Sequence, residues 1–275
     1  MKHLVSRFHV SVRRACRLLG QHRSTQAYKA VPADYQLRLA ARMNELADAY
    51  PRYGYRMVTS LLQGEGWKVN KKRVMRLWRL AGNRIQPRRK ARPSVRAHGA
   101  SANAAWRLRA KHPDHIWGVD FMSAKTRRGG DIRILNIVDE FTRLALGCLV
   151  EKSIGTTAVL VELERLFELY GKPKIIRCDN GKEFVSSSLK TRLAQLGVSV
   201  IHIEKGQPQQ NCFVERFNGT MRSEKIDLED FDTVLEARVI LKEWALVEYN
   251  DRRPHRGHAM MTPRQFANHW KVVRR

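Results

Sequence analysis

The sequence lacks the features typical of secreted, membrane-spanning or zinc-stabilised proteins. Its 275 residues include only four cysteines, which lie far apart and form no Cys-x-x-Cys pair. A disulfide framework or a cysteine-based zinc site is therefore not expected. The first 20 residues are basic and have no uninterrupted apolar core of the kind found in a signal peptide, and no apolar run is long enough to span a bilayer. We expect a cytoplasmic protein with no membrane partner.

Acidic residues are scarce in the first part of the chain. The sequence holds 52 Lys and Arg against 26 Asp and Glu, a formal net charge of +26. Residues 1–112 carry 26 basic but only 4 acidic side chains, and no Asp or Glu occurs between Gly66 and Pro113. This asymmetry indicates a polyanionic partner, with nucleic acid as the first candidate. A ribosomal or nonspecifically basic protein is the alternative on charge alone.

The basic part divides into a segment at residues 1–31 and an all-α domain at residues 32–82. The first, which contains the basic stretch of residues 11–20, is predicted to form a short helix ending at Gly20, followed by an irregular stretch. In the second, helices are predicted over residues 34–49, 53–63 and 70–81. Asn70 is suited to cap the third of these helices and Gly82 to end it. A short turn between the second and third helices is typical of a helix-turn-helix DNA-binding domain.

Several cations lie at the start of the third helix, where they oppose the helix macrodipole. Contact with DNA would explain this arrangement. The third helix of the domain is the second helix of the helix-turn-helix, and this motif reads DNA from the start of its second helix. A solvated basic face is the alternative. The predicted DNA contacts here are Lys71, Lys72, Arg73 and Arg76.

Residues 83–112 form a basic region rich in arginine, with few apolar side chains in its first part. Such a composition predicts an extended, mobile linker that can lie along phosphates. We expect Arg88, Arg89 and Lys90 to contact DNA in this way. The linker separates the helical domain from the rest of the chain.

Residues 113–275 change to alternating strands and helices. Strands are predicted over residues 116–122, 132–139, 143–150, 174–179 and 198–201. Helices are predicted over residues 156–170 and 187–196, around Glu215, and over residues 232–249, with an irregular basic tail after them. The first three strands form an antiparallel meander, and a helix connects them to the next strand. The pattern predicts an α/β domain with a mixed sheet.

Three carboxylates occupy positions from which these elements could bring them together. Asp120 points away from the apolar face of its strand, Asp179 ends a buried strand just before an Asn-Gly turn, and Glu215 lies on the polar face of an amphipathic helix. Taken singly, each has a structural alternative: a polar residue in a strand, a turn residue and a surface helix residue.

Carboxylate oxygens are the ligands that Mg²⁺ prefers, and Mn²⁺ accepts the same donors. A pair of such ions activates the attacking oxygen of a phosphodiester displacement and stabilises the leaving oxygen. We expect Asp120 to bridge two ions and Asp179 and Glu215 each to complete the shell of one.

Other acids lie near these three in sequence. Asp139 also stands in a predicted strand and could extend the acidic site, but its neighbours Glu140 and Arg143 favour a local structural pair. Glu183 is interpreted as a turn residue or a neighbour of the site.

Four motifs in chain order carry a family resemblance. They are Trp117-Gly-Val-Asp120, Cys178-Asp-Asn-Gly-Lys-Glu-Phe184, Pro208-Gln-Gln-Asn211 leading into Phe213-Val-Glu-Arg-Phe-Asn-Gly219, and a C-terminal set comprising Tyr249-Asn, Arg253-Pro-His255, Thr262-Pro263 and Phe266. Together they resemble the catalytic core of retroviral-integrase-like transposases, in particular the second reading frame of two-frame bacterial insertion sequences. The 35 residues between Asp179 and Glu215, and the basic Arg222 seven positions after Glu215, match that family's spacing. Residues 52–81 resemble its helix-turn-helix.

The resemblance implies a ribonuclease H-like mixed sheet flanked by helices, with an N-terminal all-α helix-turn-helix domain. It implies a DDE-type enzyme, dependent on Mg²⁺ or Mn²⁺, that cleaves double-stranded DNA at insertion-element ends and joins a 3′ hydroxyl to a target. We also expect a homo-oligomer on DNA and an upstream-frame protein or fusion as partner. The expected phosphate contacts in this core are Lys182, Lys205, Asn218 and Arg222. A DNA-binding regulator without catalysis, a truncated frame product and a nuclease on the same fold are the alternatives.

Overall fold

The computed structural model describes residues 2–27, 34–85, 108–204 and 208–273. In these ranges, none of the helices has the length and apolar character needed to cross a membrane.

The N-terminal segment forms three short helices rather than the single helix that we predicted: α1 (Lys2–Phe8), α2 (Val12–Leu18) and α3 (Arg23–Ala27). His9 has a positive φ of 50°, which interrupts the helical path after α1. Ser11 then starts α2, because its side chain accepts a hydrogen bond from the backbone N–H of Arg14. The cap at Ser11 therefore starts a separate helix in a basic stretch whose composition alone showed no boundary.

Three helices form the helix-turn-helix domain: α4 (Asp34–Ala49), α5 (Tyr55–Gly64) and α6 (Lys71–Leu80). Asn70 caps α6 by accepting a 2.8 Å bond from the backbone N–H of Arg73, as predicted. The core of this domain includes Leu39, Met43, Leu46, Val58, Leu62, Val74, Leu77 and Trp78. Leu37 and Ala81, which fit the apolar periodicity of the first and third of these helices, are exposed.

The second domain contains a five-stranded mixed sheet in the order β3-β2-β1-β4-β5. Its strands are β1 (Ile116–Lys125), β2 (Asp131–Asp139), β3 (Ala145–Glu151), β4 (Ile175–Cys178) and β5 (Ser199–His202). Strands β1, β2 and β3 pair antiparallel, whereas β4 runs parallel to both β1 and β5. The predicted meander and the predicted mixed sheet are both confirmed.

Helices cover both faces of this sheet. They are α7 (Thr156–Tyr170), α8 (Lys182–Val185), α9 (Ser187–Gln195), α10 (Cys212–Met221), α11 (Val234–Glu243) and α12 (Pro263–Val273). Trp117 and Val119 of β1 pack in one core with α7 and α9, whereas Met122 of the same strand packs in the other with α10 and α11. The alternation of side chains along β1 therefore assigns Asp120 to the α10 face.

Helix α12 occupies the region that we expected to be an irregular tail. Thr262 caps it: the Thr262 hydroxyl accepts from the backbone N–H of Gln265 at 3.2 Å, and the Gln265 side chain accepts from the backbone N–H of Thr262 at 2.9 Å. This is the reciprocal capping box. The aromatic rings of Phe266 and Trp270 pack against Phe141, so the C-terminal helix belongs to the domain.

Candidate active site

Helix α10 brings Glu215 to the sheet because it lies close to β1. Its buried residues include Val214, Phe217 and Met221. Gly118 of β1 permits this approach, since a Cβ there would already touch Val214 at 3.4 Å. Glu215 is on the opposite, exposed side of the helix. The predicted division of this helix into an apolar anchoring face and a polar face is therefore confirmed.

Asp120 is held by neutral hydrogen-bond donors. Its Oδ1 accepts from the backbone N–H of Phe121 at 2.9 Å, and its Oδ2 accepts from Nδ2 of Asn218 at 2.9 Å. Asn136, which faces Asp120 across the β1–β2 pair, donates from Nδ2 to Oδ1 of Asn218 at 2.7 Å. Two amides, one from α10 and one from β2, thus orient the carboxylate.

Asn136 is a residue that the sequence reasoning missed. It is fully buried in the run of residues 134–138 of β2, whose other four residues are apolar. A polar residue in such a run was a usable signal, because buried polar groups need partners. Identifying that partner required the strand register.

Asp179 directly follows β4, the strand beside β1. Its Oδ1 accepts from the backbone N–H of Gly181 at 2.9 Å. A Cβ at position 181 would lie 3.0 Å from that same oxygen, so glycine is needed for the backbone to come this close. The predicted Asn-Gly turn orients the carboxylate as well as ending the strand.

The three carboxylates act on one another electrostatically. The pKa of Asp120 is raised to about 7, first because the group is buried and second because the negative charge of Asp179 lies near, with Glu215 adding to the effect. Burial also raises the pKa of Glu215. The fold therefore brings Asp179 and Glu215 near enough to Asp120 for their charges to disfavour its ionised form.

The donor set fits a hard divalent cation, because carboxylate oxygens are its preferred ligands. The partners of Asp120 and Asp179 described above are neutral, so cations would relieve the repulsion at Asp120. As placed, the described residues include no group of three or more His, Cys, Asp or Glu side chains close enough to enclose a metal ion. The negative charge around Asp120 favours a bound cation at this site. For all three carboxylates to bind the same ion or ion pair, their side chains must move closer together.

The predicted phosphate contacts lie in different environments. Asn218 is buried and engaged with Asp120 and Asn136, so its amide orients a carboxylate, a role that differs from the predicted one. Arg222 is exposed and donates to the backbone carbonyl of Ser123 at 2.8 Å. Lys182 is exposed at the start of α8.

In the helix-turn-helix domain, Lys71, Lys72 and Arg76 are exposed, and Arg73 lies over the ring of Tyr35. Arg88, Arg89, Lys90 and Lys205 lie outside the described residues.

The neighbouring acids have local partners. Glu140 is buried and forms an ion pair with Arg177 at 2.8 Å, while Glu183 pairs with Arg133 at 3.0 Å. Asp139 accepts hydrogen bonds from the hydroxyl and the backbone N–H of Thr142. Glu140 and Arg143 are in contact as expected, but not through the Glu140 carboxylate. Arg143 donates to the backbone carbonyl of Glu140, and the Glu140 carboxylate pairs with Arg177.

The four cysteines are all free thiols, and three of them are buried. Cys212, the first residue of α10, is exposed.

Known protein families match most of the chain. Residues 110–208 and 196–263 match two models described as Integrase core domain, and residues 34–91 match one described as HTH-like domain. A solved structure of the HTLV-2 integrase catalytic core in complex with magnesium is similar with a TM-score of 0.46 and 20% identity, covering 58% of this chain and 99% of that one.

Curated relatives extend over nearly the whole length. The Insertion element IS407 uncharacterized 31.7 kDa protein of Burkholderia multivorans is 34% identical over 97% of this chain and 94% of its own. The Insertion element IS476 uncharacterized 39.2 kDa protein of Xanthomonas euvesicatoria is 34% identical over 96% of this chain and 74% of its own. The transposase of IS904 from Lactococcus lactis is 27% identical over 78% of this chain and 87% of its own. The chain belongs to the insertion-sequence transposases of the retroviral-integrase-like superfamily, which are DDE-type polynucleotidyl transferases.

Proposed function

We propose that Asp120, Asp179 and Glu215 are the catalytic carboxylates with which this transposase cleaves element-end DNA and joins it to a target. The placement of Asp120 carries the proposal: it is buried beside the negative charges of Asp179 and Glu215, and its pKa is raised first by burial and then by those charges. Assembling like charges in a half-buried site is unfavourable, and such sites are where perturbed acids have catalytic roles. Hydrolysis of one phosphodiester frees a 3′ hydroxyl, and that hydroxyl then attacks a second phosphodiester.

The integrase core implies a dependence on divalent metal, and we infer that the three carboxylates hold two Mg²⁺ or Mn²⁺ ions. Bound ions supply Lewis acidity for both the attacking and the leaving oxygen. The chain's own residues fix the ligands: Asn218 and the Phe121 N–H hold Asp120, the Gly181 N–H holds Asp179, and the apolar face of α10 holds Glu215 against β1.

Strand joining on element-end DNA with Mg²⁺ or Mn²⁺ tests this assignment. Glu215→Gln should reduce joining by about three orders of magnitude or more while the melting temperature stays close to wild type, because Glu215 is exposed. Glu243→Gln, a change of the same charge at an exposed position on α11, is the matched control and should retain full activity. Wild-type joining by Glu215→Gln would remove Glu215 from the site and reopen the possibility of a noncatalytic DNA-binding regulator.

We further infer that the start of α6 contacts double-stranded DNA through Lys71 and Lys72, with Arg73 and Arg76 adjoining. The double variant Lys71→Ala/Lys72→Ala should reduce the slope of log Kd against log salt by about 2, since each lost phosphate contact removes roughly one unit. An unchanged slope would mean that these lysines remain in solvent. Arg88, Arg89, Lys90, Lys182, Lys205 and Arg222 are proposed as additional phosphate contacts.

The partners that we propose are further copies of this chain on DNA and an upstream-frame protein or fusion. We place this activity on nucleoid DNA in the cytoplasm. Size-exclusion chromatography with and without element-end DNA tests the first of these inferences.

A further inference from the structure

The helix-turn-helix domain contacts the helix that carries Glu215 a short distance beyond that residue. Arg52, which lies between α4 and α5, donates from Nε to the backbone carbonyl of Ser223 at 2.9 Å. Ser223 belongs to a π-helical turn, Arg222–Ile226, that continues α10 without a break in helical backbone angles. Glu215 and Ser223 are therefore separated by about 12 Å of continuous helix at 1.5 Å per residue.

A largely buried ion pair lies next to this contact. Glu224 accepts three hydrogen bonds of 2.7–3.1 Å from the guanidinium of Arg253. That guanidinium also lies 5.9 Å from the ring of Tyr53 in the helix-turn-helix domain and 5.7 Å from the ring of Tyr249 in the core. Tyr53 is only 4% exposed. Burial, and then the nearby charge of Glu224, raise its pKa well above the usual value.

The contacts continue from this ion pair into α10. The ring of Tyr249 packs edge-on against Phe217 at 4.7 Å, and Phe217 is the buried anchor of α10 one turn before Met221. A series of contacts, through Arg253, Tyr249 and Phe217, thus links Tyr53 to the helix that carries Glu215. A cavity of about 370 Å³ lies along the same junction, lined by residues 48–53 of the helix-turn-helix domain and by residues of the core that include Glu224 and Trp244.

The opposite end of α10 is held by the core itself. Arg177 donates to the backbone carbonyl of Gln210, in the turn Pro208–Asn211 that precedes α10. Arg177 also donates to the carbonyl of Leu108, where the chain from the first domain enters the core. The first end of α10 is therefore held by a buried side chain of the sheet. The turn that continues its last end is held from both domains, because the core contacts Arg222 and Glu224 and the helix-turn-helix domain contacts Ser223.

We propose that Arg52 is a positioning residue for Glu215: the helix-turn-helix domain, seated through Arg52, holds the last turns of the helix that carries the catalytic carboxylate. The proposal rests on the catalytic role proposed for Glu215. Helix ends fray unless their terminal groups are bonded, and a displacement of about 1 Å at a catalytic group can lower a rate about 10²-fold. Seating of the DNA-binding domain and the geometry of the active site are then linked through one helix.

The test uses the full chain with three variants. Arg52→Ala removes the contact, and Arg52→Met removes the donor while preserving the length of the side chain should the alanine variant fold poorly. Arg38→Ala is the matched control, because Arg38 is an exposed arginine of the same domain whose partner is Asp34 within α4. Each protein is assayed for the single-turnover rate of strand joining at saturating element-end DNA, for the Kd of that DNA, and for hydrogen–deuterium exchange of peptides covering residues 212–226.

For Arg52→Ala and Arg52→Met we expect a rate about tenfold lower, a Kd within about twofold of wild type, and faster exchange over residues 212–226. Arg38→Ala should match wild type in all three. Wild-type exchange and rate in a folded Arg52 variant would overturn the proposal, as would a weaker Kd with an unchanged rate at saturation. If Glu215→Gln keeps its activity in the same assays, the catalytic assignment fails, whereas the exchange data still decide whether Arg52 orders the helix.

Discussion

Two groups of acids within the α/β domain differ in what surrounds them. Asp120, Asp179 and Glu215 form the site group, in which neutral amide and N–H donors hold Asp120 and Asp179. Asp139, Glu140 and Glu183 form the paired group, in which arginines bind both glutamates and a threonine binds the aspartate. Both groups lie on one sheet and on the turns and helices next to it, so the difference lies in their partners and not in their general location.

The difference separates acids with structural partners from the acids that we propose to be catalytic. A buried carboxylate that serves the fold requires a partner, because an unpaired buried charge is strongly unfavourable. A group of carboxylates that repel one another makes no such contribution and is retained where its charge is used. Substitutions should therefore affect stability in the paired group and activity in the site group.

The largest effect on stability should come from removing the cation of the paired group. Arg177→Met leaves Glu140 buried without its counter-charge and should lower the free energy of unfolding by about 3–5 kcal/mol, measured by urea denaturation. Adding Glu140→Leu to this variant should recover part of the loss, because an apolar pair of similar volume replaces the stranded charge. Arg222→Met, an exposed arginine near the site group, is the control and should stay within about 1 kcal/mol of wild type. A loss below about 1 kcal/mol in Arg177→Met would contradict a structural role for the pair.

An intermediate effect, on activity, should come from the amide that holds Asp120. Asn218→Ala removes the 2.9 Å bond to Asp120 and leaves Asn136 without its partner, so strand joining per folded molecule should fall about 10–100-fold. Asn268→Ala, at an exposed position on α12, should be indistinguishable from wild type. Wild-type joining by Asn218→Ala would show that the reaction does not depend on the hydrogen bonds from Asn136 to Asn218 and from Asn218 to Asp120.

The smallest effect is a gain in stability, whereas the substitution at Arg177 lowers it. Asp120→Asn removes one of the mutually repelling charges and should raise the free energy of unfolding in metal-free buffer by on the order of 1 kcal/mol, while abolishing strand joining. Glu183→Gln, in the paired group, should lower it because the ion pair with Arg133 is lost. Loss of stability in both variants would mean that the two groups do not differ as described.

Local sequence signals predicted most of the fold. Helix α7 was predicted with its observed ends, and the strands to within a few residues, because alternation and turn residues mark them directly. Helix α12 was missed although its capping box, Thr262 to Gln265, is a local signal; the basic composition around it was given more weight. Of the three short N-terminal helices, α2 corresponds to the predicted helix ending at Gly20, whereas α1 and α3 were missed because the basic pattern around them is continuous.

The site was predictable at the level of its acids but not of their supports. Asp120, Asp179 and Glu215 stand in motifs whose local patterns mark a strand, a turn and a helix. Their supports are contacts across long sequence separations: Asn136 and Asn218 are 82 residues apart, and Arg177 and Glu140 are 37 apart. Such pairs depend on strand register and helix placement, which a one-dimensional pattern does not contain.

The contact between Arg52 and Ser223 is likewise between residues far apart in the sequence, and the sequence alone did not predict it. The basic linker led us to expect separate domains, whereas side chains of both domains pack together at this junction. The composition of the linker predicts that it is extended, but it does not predict whether the two domains contact each other.

The exposure of Cys212 has a practical consequence for following the reaction. The other three thiols are buried, and burial raises the pKa of Cys148 and of Cys178 to about 12, which keeps both as unreactive thiols. Partial burial also raises the pKa of Cys212, but Cys212 is exposed, so a maleimide dye added to the native protein should attach there, one helical turn before Glu215, without any engineered cysteine. The rate of attachment then reports directly on whether DNA covers the catalytic helix.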